Sequence, residues 1–407
     1  KSINLDSWLL DEKHIKEMFA RYSCNADISI IEGVMGLYDG ASHNLLEGST
    51  AGISKLLDDC PVIIVMQCNG MAGSAAAIVH GLKELKNINI CGVIINKPSS
   101  MGHYNILIKA IEENTKIKVL GFLPKDQDIE IKSRHLGLIQ SSEIENMEKI
   151  IDRLAKLAEE NIDMDELLSI ASSASVVKSE RTALNEIEPH ERVKLYVAMD
   201  RAFSFYYHEN FEILKRLGAD IEFFSPMEDK AIPDDCCGLY IGGGYPEIFA
   251  RELSQNISMR QSILNKAQRG LPIFAECGGY MYLNKSFKTA EGEAIDFVGF
   301  FEGEFIMTQT LQNFGYAEII SLKDNCMMRC GEKIRAHEFH KSQMIRKSED
   351  YCIKLNKAKD GIIKEWYCGM ERKNVFGMYA HIYFPSNKNL PERFMETCKK
   401  YKSSMEV

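Results

Sequence analysis

Cys277 stands in a sequence setting that favours nucleophilic chemistry. It follows the apolar segment 271–274, which predicts the end of a buried strand, and it is followed at once by Gly278-Gly279 and a helical pattern. A nucleophile on such a turn has its side chain clear of the sheet, and the backbone N–H groups that follow point at the group under attack. The start of a helix also favours thiolate over thiol. A cysteine placed there can act without a metal or a cofactor.

The alternative for Cys277 is a buried structural thiol, which is the common state of a free cysteine and applies to most of the twelve in this chain. Two further features favour chemistry at Cys277. The turn 242–244 consists of three glycines after another apolar strand, and His381 ends a third apolar segment. A cysteine, backbone donors and a histidine on strand ends are the parts of an acyl-transfer site. Tyr383, two residues after His381, provides no carboxylate to orient the imidazole.

Two carboxylates in the first half, Glu32 and Asp39, are candidate ligands of a magnesium nucleotide. Glu32 follows a predicted strand at 27–31, and the glycines of the segment 32–40 allow a ligand to approach the backbone. The carboxyl ends of parallel strands are where a doubly wound sheet binds ligands, and Mg²⁺ binds carboxylate oxygens together with phosphates. From spacing alone, a solvated acidic loop explains these residues equally well.

The composition is that of a globular protein with more than one domain. The 407 residues are 45% hydrophobic and 26% charged, which predicts two or three domains. A net charge of −9 gives no basic footprint for nucleic acid, and no window approaches eighteen uninterrupted apolar residues, so we expect neither nucleic acid nor membrane as a partner. Twelve cysteines without a CxxC or HExxH motif indicate reduced thiols in a cytoplasm.

Apolar strand patterns alternate with helical patterns in both halves, which predicts parallel sheets covered by helices. In the first half the predicted strands are 27–31, 61–66, 88–95 and 118–124. In the second half they are 193–199, 220–224, 237–241, 271–274 and 375–381, with a long helix at 249–269. A polar, aperiodic stretch at 171–190 predicts a linker between domains at 1–170 and 191–407.

The segment Ala336 to His340 places two histidines around a glutamate, which is one reading of a metal site. It does not match HExxH, and on a strand His337 and Glu338 face opposite ways. We therefore prefer a structural or substrate-contacting strand.

Short segments spread over the chain resemble the cobyrinate a,c-diamide synthase family, and the second half resembles class I glutamine amidotransferases. They occur in family order, and those containing Glu32 and Cys277 are the specific ones. The segments are 4–8, 32–40, 134–138, 203–207, 242–247, 275–282 and 337–340. The resemblance implies an α/β protein of two doubly wound domains. The first is similar to P-loop NTPases such as dethiobiotin synthetase, and the second is a flavodoxin-like amidotransferase domain.

The resemblance implies roles for the candidate residues of the second half. Cys277 would be the nucleophile that hydrolyses L-glutamine, and His381 would be its base. Gly243 or Gly244, together with the amide of Gly278, would form the oxyanion hole. The absence of an acid at Tyr383 matches the corrinoid branch of these amidotransferases.

For the first half, the resemblance implies an ATP-dependent ligase step of cobalamin biosynthesis. ATP with Mg²⁺, the latter bound by Glu32 with Asp39 nearby, would phosphorylate the a- and c-acetate carboxylates of cobyrinic acid, the corrinoid substrate. Ammonia would then displace phosphate, because an acyl phosphate is a far better acceptor than a carboxylate. The oligomeric state stays open, with a homodimer as one option.

The sequence also departs from the family pattern. It contains no Gly-rich P-loop ending in Gly-Lys-Thr and no short acidic motif after it, and in the family both precede the position of Lys1. Met66-Gln67 stands where an aspartate is usual, and Ala336 replaces a usual glycine. We expect a fragment that keeps the glutaminase machinery but does not bind ATP normally. Calorimetry with MgATP should show no binding, and tight binding would contradict this expectation.

Other functions remain open at this stage. Hydrogenobyrinic acid or nickel sirohydrochlorin are alternative substrates that the sequence does not separate from cobyrinic acid. Cobyric acid synthase shares both domains, but its motif order around Glu32 fits less well. A truncated inactive protein or a regulatory protein on the same fold is a different class, and the intact set of Cys277, the glycines 242–244 and His381 is evidence against the regulatory one.

Overall fold

The structure is a computed structural model that describes residues 2–131, 133–134, 137–138, 140, 143–177, 191–289, 291–345, 350–359 and 362–405. Contacts divide the chain into two compact units: the first begins at Leu5, and the second contains the residues up to Asn4 and those from 191 onward. Helix Met164–Ser172 extends into the first two residues of the predicted linker, and residues 178–190 lie outside the described ones. His135 and Leu136 of the family-like segment 134–138 also lie outside them.

The first unit has a parallel sheet covered by helices. Its strands are β1 (Val62–Gln67), β2 (Ile90–Asn96) and β3 (Lys118–Leu123), paired in the order β1-β2-β3, and the two-residue strands β4 (Ser133–Arg134) and β5 (Gly137–Leu138) pair antiparallel to each other. Its described helices are α1 (Glu12–Ser23), α2 (Thr50–Leu56), α3 (Ser74–Glu84), α4 (Met101–Thr115), α5 (Met147–Asn161) and α6 (Met164–Ser172). The alternation of strand and helix is the one that the sequence predicts.

The core of this unit lies around its central strand β2. Val93 and Ile95 are fully buried there, and Ala75 at the start of α3 is buried as well. Helix α3 packs against α4, and burial of the branched side chains of β2 removes apolar area from water. Ser49 begins α2 by accepting a hydrogen bond from the N–H of Gly52 at 3.1 Å.

The strand predicted at 27–31 is wrong. The described backbone there is irregular and has no ladder partner, and Ile30 is 92% exposed. A short apolar run satisfies the pattern of a strand, but a strand forms only when a neighbour accepts its hydrogen bonds.

The described strands of the second unit form a six-stranded sheet, a seven-stranded sheet and a two-stranded antiparallel sheet of Phe203–Phe205 with Gly243–Gly244. Its strands are β6 (Val193–Ala198), β7 (Phe203–Phe205), β8 (Ala219–Phe224), β9 (Gly238–Ile241), β10 (Gly243–Gly244), β11 (Ile273–Glu276), β12 (Ser286–Lys288), β13 (Ala294–Asp296), β14 (Glu304–Ser321), β15 (Lys333–Met344), β16 (Ile353–Lys359), β17 (Ile362–Cys368), β18 (Met370–Arg372), β19 (Val375–Met378) and β20 (His381–Ile382). Its described helices are α7 (His208–Arg216), α8 (Ala250–Gln255), α9 (Ile257–Gln268), α10 (Gly278–Leu283) and α11 (Asn389–Met405), with a 3₁₀ turn at Phe384–Ser386.

The six-stranded sheet of this unit has the order β18-β19-β11-β9-β6-β8 and is parallel except for β18. The predicted α/β organisation is therefore present. The helix predicted at 249–269 is divided in two at Asn256, whose side chain caps the second piece by accepting from the N–H of Met259.

The seven-stranded sheet is mostly antiparallel, and the sequence did not predict it. Its main path is β13-β12-β14-β15-β20, and β16 and β17 extend it from β14. The strand predicted at 375–381 is corrected by this sheet. Its first part, β19, pairs with β11, whereas His381 and Ile382 turn away as β20 and pair with β15.

Candidate active site

Cys277 occupies a strained turn between β11 and α10. It has φ 47° and ψ −103°, a positive φ that a residue with a side chain rarely adopts. Its N–H donates to the carbonyl of Met378 at 2.8 Å, which fixes the turn to the neighbouring strand end. The side chain is 6% exposed. Strand, strained nucleophile and helix follow one another as the sequence predicts.

The triple-glycine turn packs directly against the cysteine turn. The N–H of Gly279 donates to the carbonyl of Gly242 at 2.9 Å. A Cβ atom at Gly278 would lie 3.1 Å from the backbone nitrogen of Gly244, so side chains at this position would push the two turns apart. The structure thus brings Gly244 and Gly278, two of the predicted oxyanion-hole residues, next to each other.

His381 reaches the same place from the antiparallel sheet. It pairs with His337 across β20 and β15, and the two rings stack with centroids 5.0 Å apart. A Cβ atom at Gly243 would also lie only 2.6 Å from Cε1 of His381. The ring thus borders both Gly243 and His337, and His381 stands three residues beyond Met378, whose carbonyl holds Cys277.

Burial controls the charge of both groups. It raises the pKa of the Cys277 thiol, and the carboxylate of Glu247 raises it further. Burial lowers the pKa of His381 well below its ordinary value, and His337 and His340 lower it further. Both shifts favour the uncharged forms, a thiol at Cys277 and a neutral imidazole at His381. Desolvation thus acts against the start of α10, which favours the thiolate.

Sequence reasoning assigned no role to Glu276. This residue directly precedes Cys277, is 2% exposed, and accepts from the N–H of Ile382 at 2.7 Å and from the Tyr240 hydroxyl at 2.5 Å. Burial raises the pKa of this carboxyl to about 7. An acidic residue as the last member of an apolar strand, immediately before a nucleophile, is the sequence signal that could have identified it.

The histidine-rich segment lies in β15, with His337 and Glu338 on opposite faces. Glu338 is 1% exposed, and its carboxylate accepts from Nε1 of Trp366 at 3.3 Å. It lines a cavity of about 170 Å³ together with His340 and Tyr379. Within the described part of the chain, no group of three or more His, Cys, Asp or Glu residues is arranged to hold a metal ion. A strand that contacts neighbours or a substrate agrees with this arrangement better than a metal site.

Glu32 and Asp39 lie in one loop of the first unit, before α2, and both are exposed. The N–H of Asp39 donates to the carbonyl of Gly36 at 3.0 Å, which forms a turn. A Cβ atom at Gly33 would lie 2.8 Å from the side chain of Thr50 at the start of α2, so this glycine permits a close approach. Accessible carboxylate oxygens are ligands of the kind that Mg²⁺ takes, with the remaining positions filled by water and phosphate.

All twelve cysteines belong to the described residues, and each is a free thiol. This agrees with the expectation that they do not form a disulfide framework. None of the described helices combines the length and the apolar character needed to cross a membrane.

Both units match known families. Residues 8–139 match the CobQ/CobB/MinD/ParA nucleotide binding domain, and residues 194–389 match the CobB/CobQ-like glutamine amidotransferase domain. The cobyrinate a,c-diamide synthase of Caldanaerobacter subterraneus subsp. tengcongensis is 39% identical over 402 residues, which are 98% of this chain and 87% of that protein. The chain belongs to the cobyrinate a,c-diamide synthase family. This confirms the resemblance and the fold class predicted from the sequence.

Other relatives in the cobyrinate a,c-diamide synthase family are equally extensive matches. The protein of Clostridium tetani is 42% identical over 398 residues, 97% of this chain and 87% of that protein. The protein of Clostridium acetobutylicum is 43% identical over 389 residues, 95% of this chain and 85% of that protein. Among solved structures, PurLQS from Thermotoga maritima matches with a TM-score of 0.37 and 17% identity, covering 52% of this chain and 99% of that one.

Proposed function

We propose that this protein is a ligase that uses ATP and L-glutamine to amidate the a- and c-acetate carboxylates of cobyrinic acid. Relatives named cobyrinate a,c-diamide synthase, with identities such as 39% and 43% over nearly the whole chain, support the reaction and its corrinoid substrate. The observation that carries the glutaminase half is the strained turn of Cys277, which packs against the glycine turn 242–244, while Gly243 of that turn borders the ring of His381. A nucleophile, a base and backbone donors brought close together are what acyl transfer requires.

The glutaminase step that we propose starts from a thiol and a neutral imidazole, the forms that burial favours. As the sulfur of Cys277 attacks the side-chain amide carbon of glutamine, its proton passes to the imidazole of His381. The backbone N–H groups of Gly278 and of Gly244 or Gly243 stabilise the negative oxygen that forms. His381 then returns the proton to the departing nitrogen, which leaves as neutral ammonia. Water, deprotonated by His381, hydrolyses the remaining thioester and releases glutamate.

The ligase half is assigned to the first unit. The carboxylates of Glu32 and Asp39 would hold Mg²⁺, which neutralises phosphate charge when it is bound. ATP phosphorylates an acetate carboxylate of the corrinoid, and ammonia then attacks the acyl carbon. A C–N bond forms as the C–O bond to phosphate breaks.

Glutamine hydrolysis by the parent chain and by Cys277→Ala tests the glutaminase half. We expect ammonia release from the parent and a loss of at least about 1,000-fold in the variant, because removal of the nucleophile leaves only binding and oxyanion stabilisation. Cys24→Ala, which removes an exposed free thiol, is the matched control and should keep full activity. Equal ammonia release by the parent and by Cys277→Ala, or none by the parent, would contradict the proposal.

Calorimetry with MgATP on the parent, Glu32→Gln and Asp39→Asn tests the magnesium assignment. Binding by the parent that weakens in both variants supports it, and binding that is insensitive to both contradicts it.

Cytoplasmic location and the partners are further parts of the proposal. Twelve free thiols and a net charge of −9 support a reducing compartment and no use of nucleic acid or membrane. Light scattering after size exclusion distinguishes a 46.2 kDa monomer from a homodimer.

A further inference from the structure

The position two residues after His381, where a carboxylate could bond to its ring and orient it, is not occupied by an acidic residue. The residue two positions later is Tyr383, which is fully buried, and its hydroxyl donates to the carbonyl of Asn4 at 3.2 Å. A catalytic imidazole needs a third group that fixes its orientation relative to the nucleophile. The orientation of His381 must therefore be fixed in another way.

The peptide group that follows His381 is held by a buried carboxylate. Glu276 accepts from the N–H of Ile382 at 2.7 Å, and this N–H belongs to the peptide group that joins His381 to Ile382. Glu276 is the last residue of β11, and Cys277 is the next residue along the chain. One side chain thus ties the segment of the base to the strand of the nucleophile. The bond also joins the two sheets, because β11 belongs to the parallel sheet and β20 to the antiparallel one.

A second buried side chain holds the next peptide group. Asn210 is fully buried, and its Nδ2 donates to the carbonyl of Ile382 at 3.0 Å, while its Oδ1 accepts from the N–H of Phe384 at 2.8 Å. Together with the pairing of β20 to β15, these bonds fix the main chain on the C-terminal side of His381. A strand of only two residues has few ladder bonds of its own, so side-chain bonds of this kind decide its position.

We propose that Glu276 is a positioning residue that fixes the imidazole of His381 against Cys277 through the main chain, in place of a carboxylate bonded to the ring. This inference rests on the proposed glutaminase function. In this proposal Glu276, directly before Cys277, orients the imidazole. A carboxylate at the position of Tyr383 would otherwise do so. The hydrogen bond from the Tyr240 hydroxyl to Glu276 has a different role. It holds the carboxylate in place and makes no bond to the segment that contains His381.

Glu276→Ala removes the bond to Ile382, whereas Glu276→Gln keeps an oxygen that accepts from the same N–H. We expect kcat for glutamine hydrolysis to fall about 100-fold in Glu276→Ala, the effect of a misplaced catalytic group, with KM changed less than about threefold. Glu276→Gln should retain kcat within about fivefold. Tyr240→Phe is the matched control. It removes the other buried partner of Glu276 and leaves the Ile382 bond, so it should retain kcat as well.

Thermal unfolding and hydrogen exchange separate positioning from general destabilisation. Exchange of the Ile382 amide should quicken in Glu276→Ala and stay at the parent rate in Tyr240→Phe. If kcat follows the melting temperature across all three variants, or if Glu276→Ala keeps its kcat, the proposal is overturned. An inactive parent would contradict the glutaminase function alone, and the exchange rate would still decide whether Glu276 fixes this segment: an unchanged rate in Glu276→Ala would overturn the proposal.

Discussion

The backbone of Gly243 lies so close to the ring of His381 that a Cβ atom at Gly243 would be 2.6 Å from Cε1. Gly243 does not have the positive φ that excludes larger residues, so its importance lies in this approach. We predict that Gly243→Ala displaces the imidazole and lowers kcat for glutamine hydrolysis by about 10- to 100-fold. Steady-state kinetics with glutamine measures this.

The control for that change is Gly81→Ala in α3, where nothing lies within 4 Å of the added carbon. Alanine is the better helix former, so this variant should be fully active and slightly more stable. Full glutaminase activity in Gly243→Ala would show that the ring has room to move and would refute the prediction.

The pH dependence of the glutaminase should respond to His337. Burial is the main reason for the low pKa of His381, and the neighbouring His337 lowers it further. His337→Phe keeps an aromatic ring against His381 but removes the positive charge of a protonated His337, which lowers the pKa of His381. Because the pKa of His381 then rises, its protonation begins at higher pH, and the acid limb of kcat/KM should move upward.

His80→Phe replaces an exposed histidine of α3 and serves as the control for the pH profile. Its acid limb should coincide with that of the parent. A profile of His337→Phe that also coincides with the parent would mean that another group sets the acid limb.

Glu276 should make the stability of the protein depend on pH. Its pKa of about 7 lies above the usual 4.5, so the folded protein binds this proton more tightly than the unfolded chain does. The associated stabilisation is complete below about pH 4.5 and is lost as the pH rises through 7; a shift of this size corresponds to about 3 kcal/mol. Because glutamine does not titrate, Glu276→Gln should lose less free energy of unfolding than the parent when the pH rises from 5 to 8. Urea unfolding at both values measures the difference, and an identical pH dependence in the two proteins would exclude Glu276 as its source.

The reactivity of the cysteines offers a test of the neutral thiol. Alkylating reagents react with the thiolate form of cysteine. Burial keeps reagents away from Cys277, and its raised pKa keeps it in the thiol form. Iodoacetamide near pH 7 should therefore modify the exposed Cys24 and Cys330 before Cys277, as peptide mass spectrometry can show. A diazoketone analogue of glutamine, which would bind beside His381, should instead label Cys277. If iodoacetamide modifies Cys277 before Cys24 and Cys330, Cys277 is a thiolate in the free protein, and the prediction is wrong.

The sequence predicts the parallel sheets well because their strands are continuous apolar runs bounded by turns. Segments 193–199 and 237–241 correspond to β6 and β9 for this reason, and the turn after β11 was recognisable from Cys277 and its two glycines. The same local signal failed at 27–31, where no neighbouring strand accepts the hydrogen bonds of the described backbone.

What the sequence could not predict depends on partners that are distant along the chain. The strand that pairs with β11 ends at Met378, and His381 and Ile382 pair with β15 instead. No local sequence pattern marks this change of sheet. The role of Glu276 depends likewise on an N–H that is 106 residues away. The lowered pKa of His381 follows from burial that only the folded chain creates.

The change of sheet between Met378 and His381 has a mechanical consequence. The nucleophile and its base are attached to two different rigid elements, so the distance between them depends on the angle at which the two sheets meet. The hydrogen bond from the N–H of Ile382 to Glu276 crosses this joint and connects the segment of the base to the strand of the nucleophile.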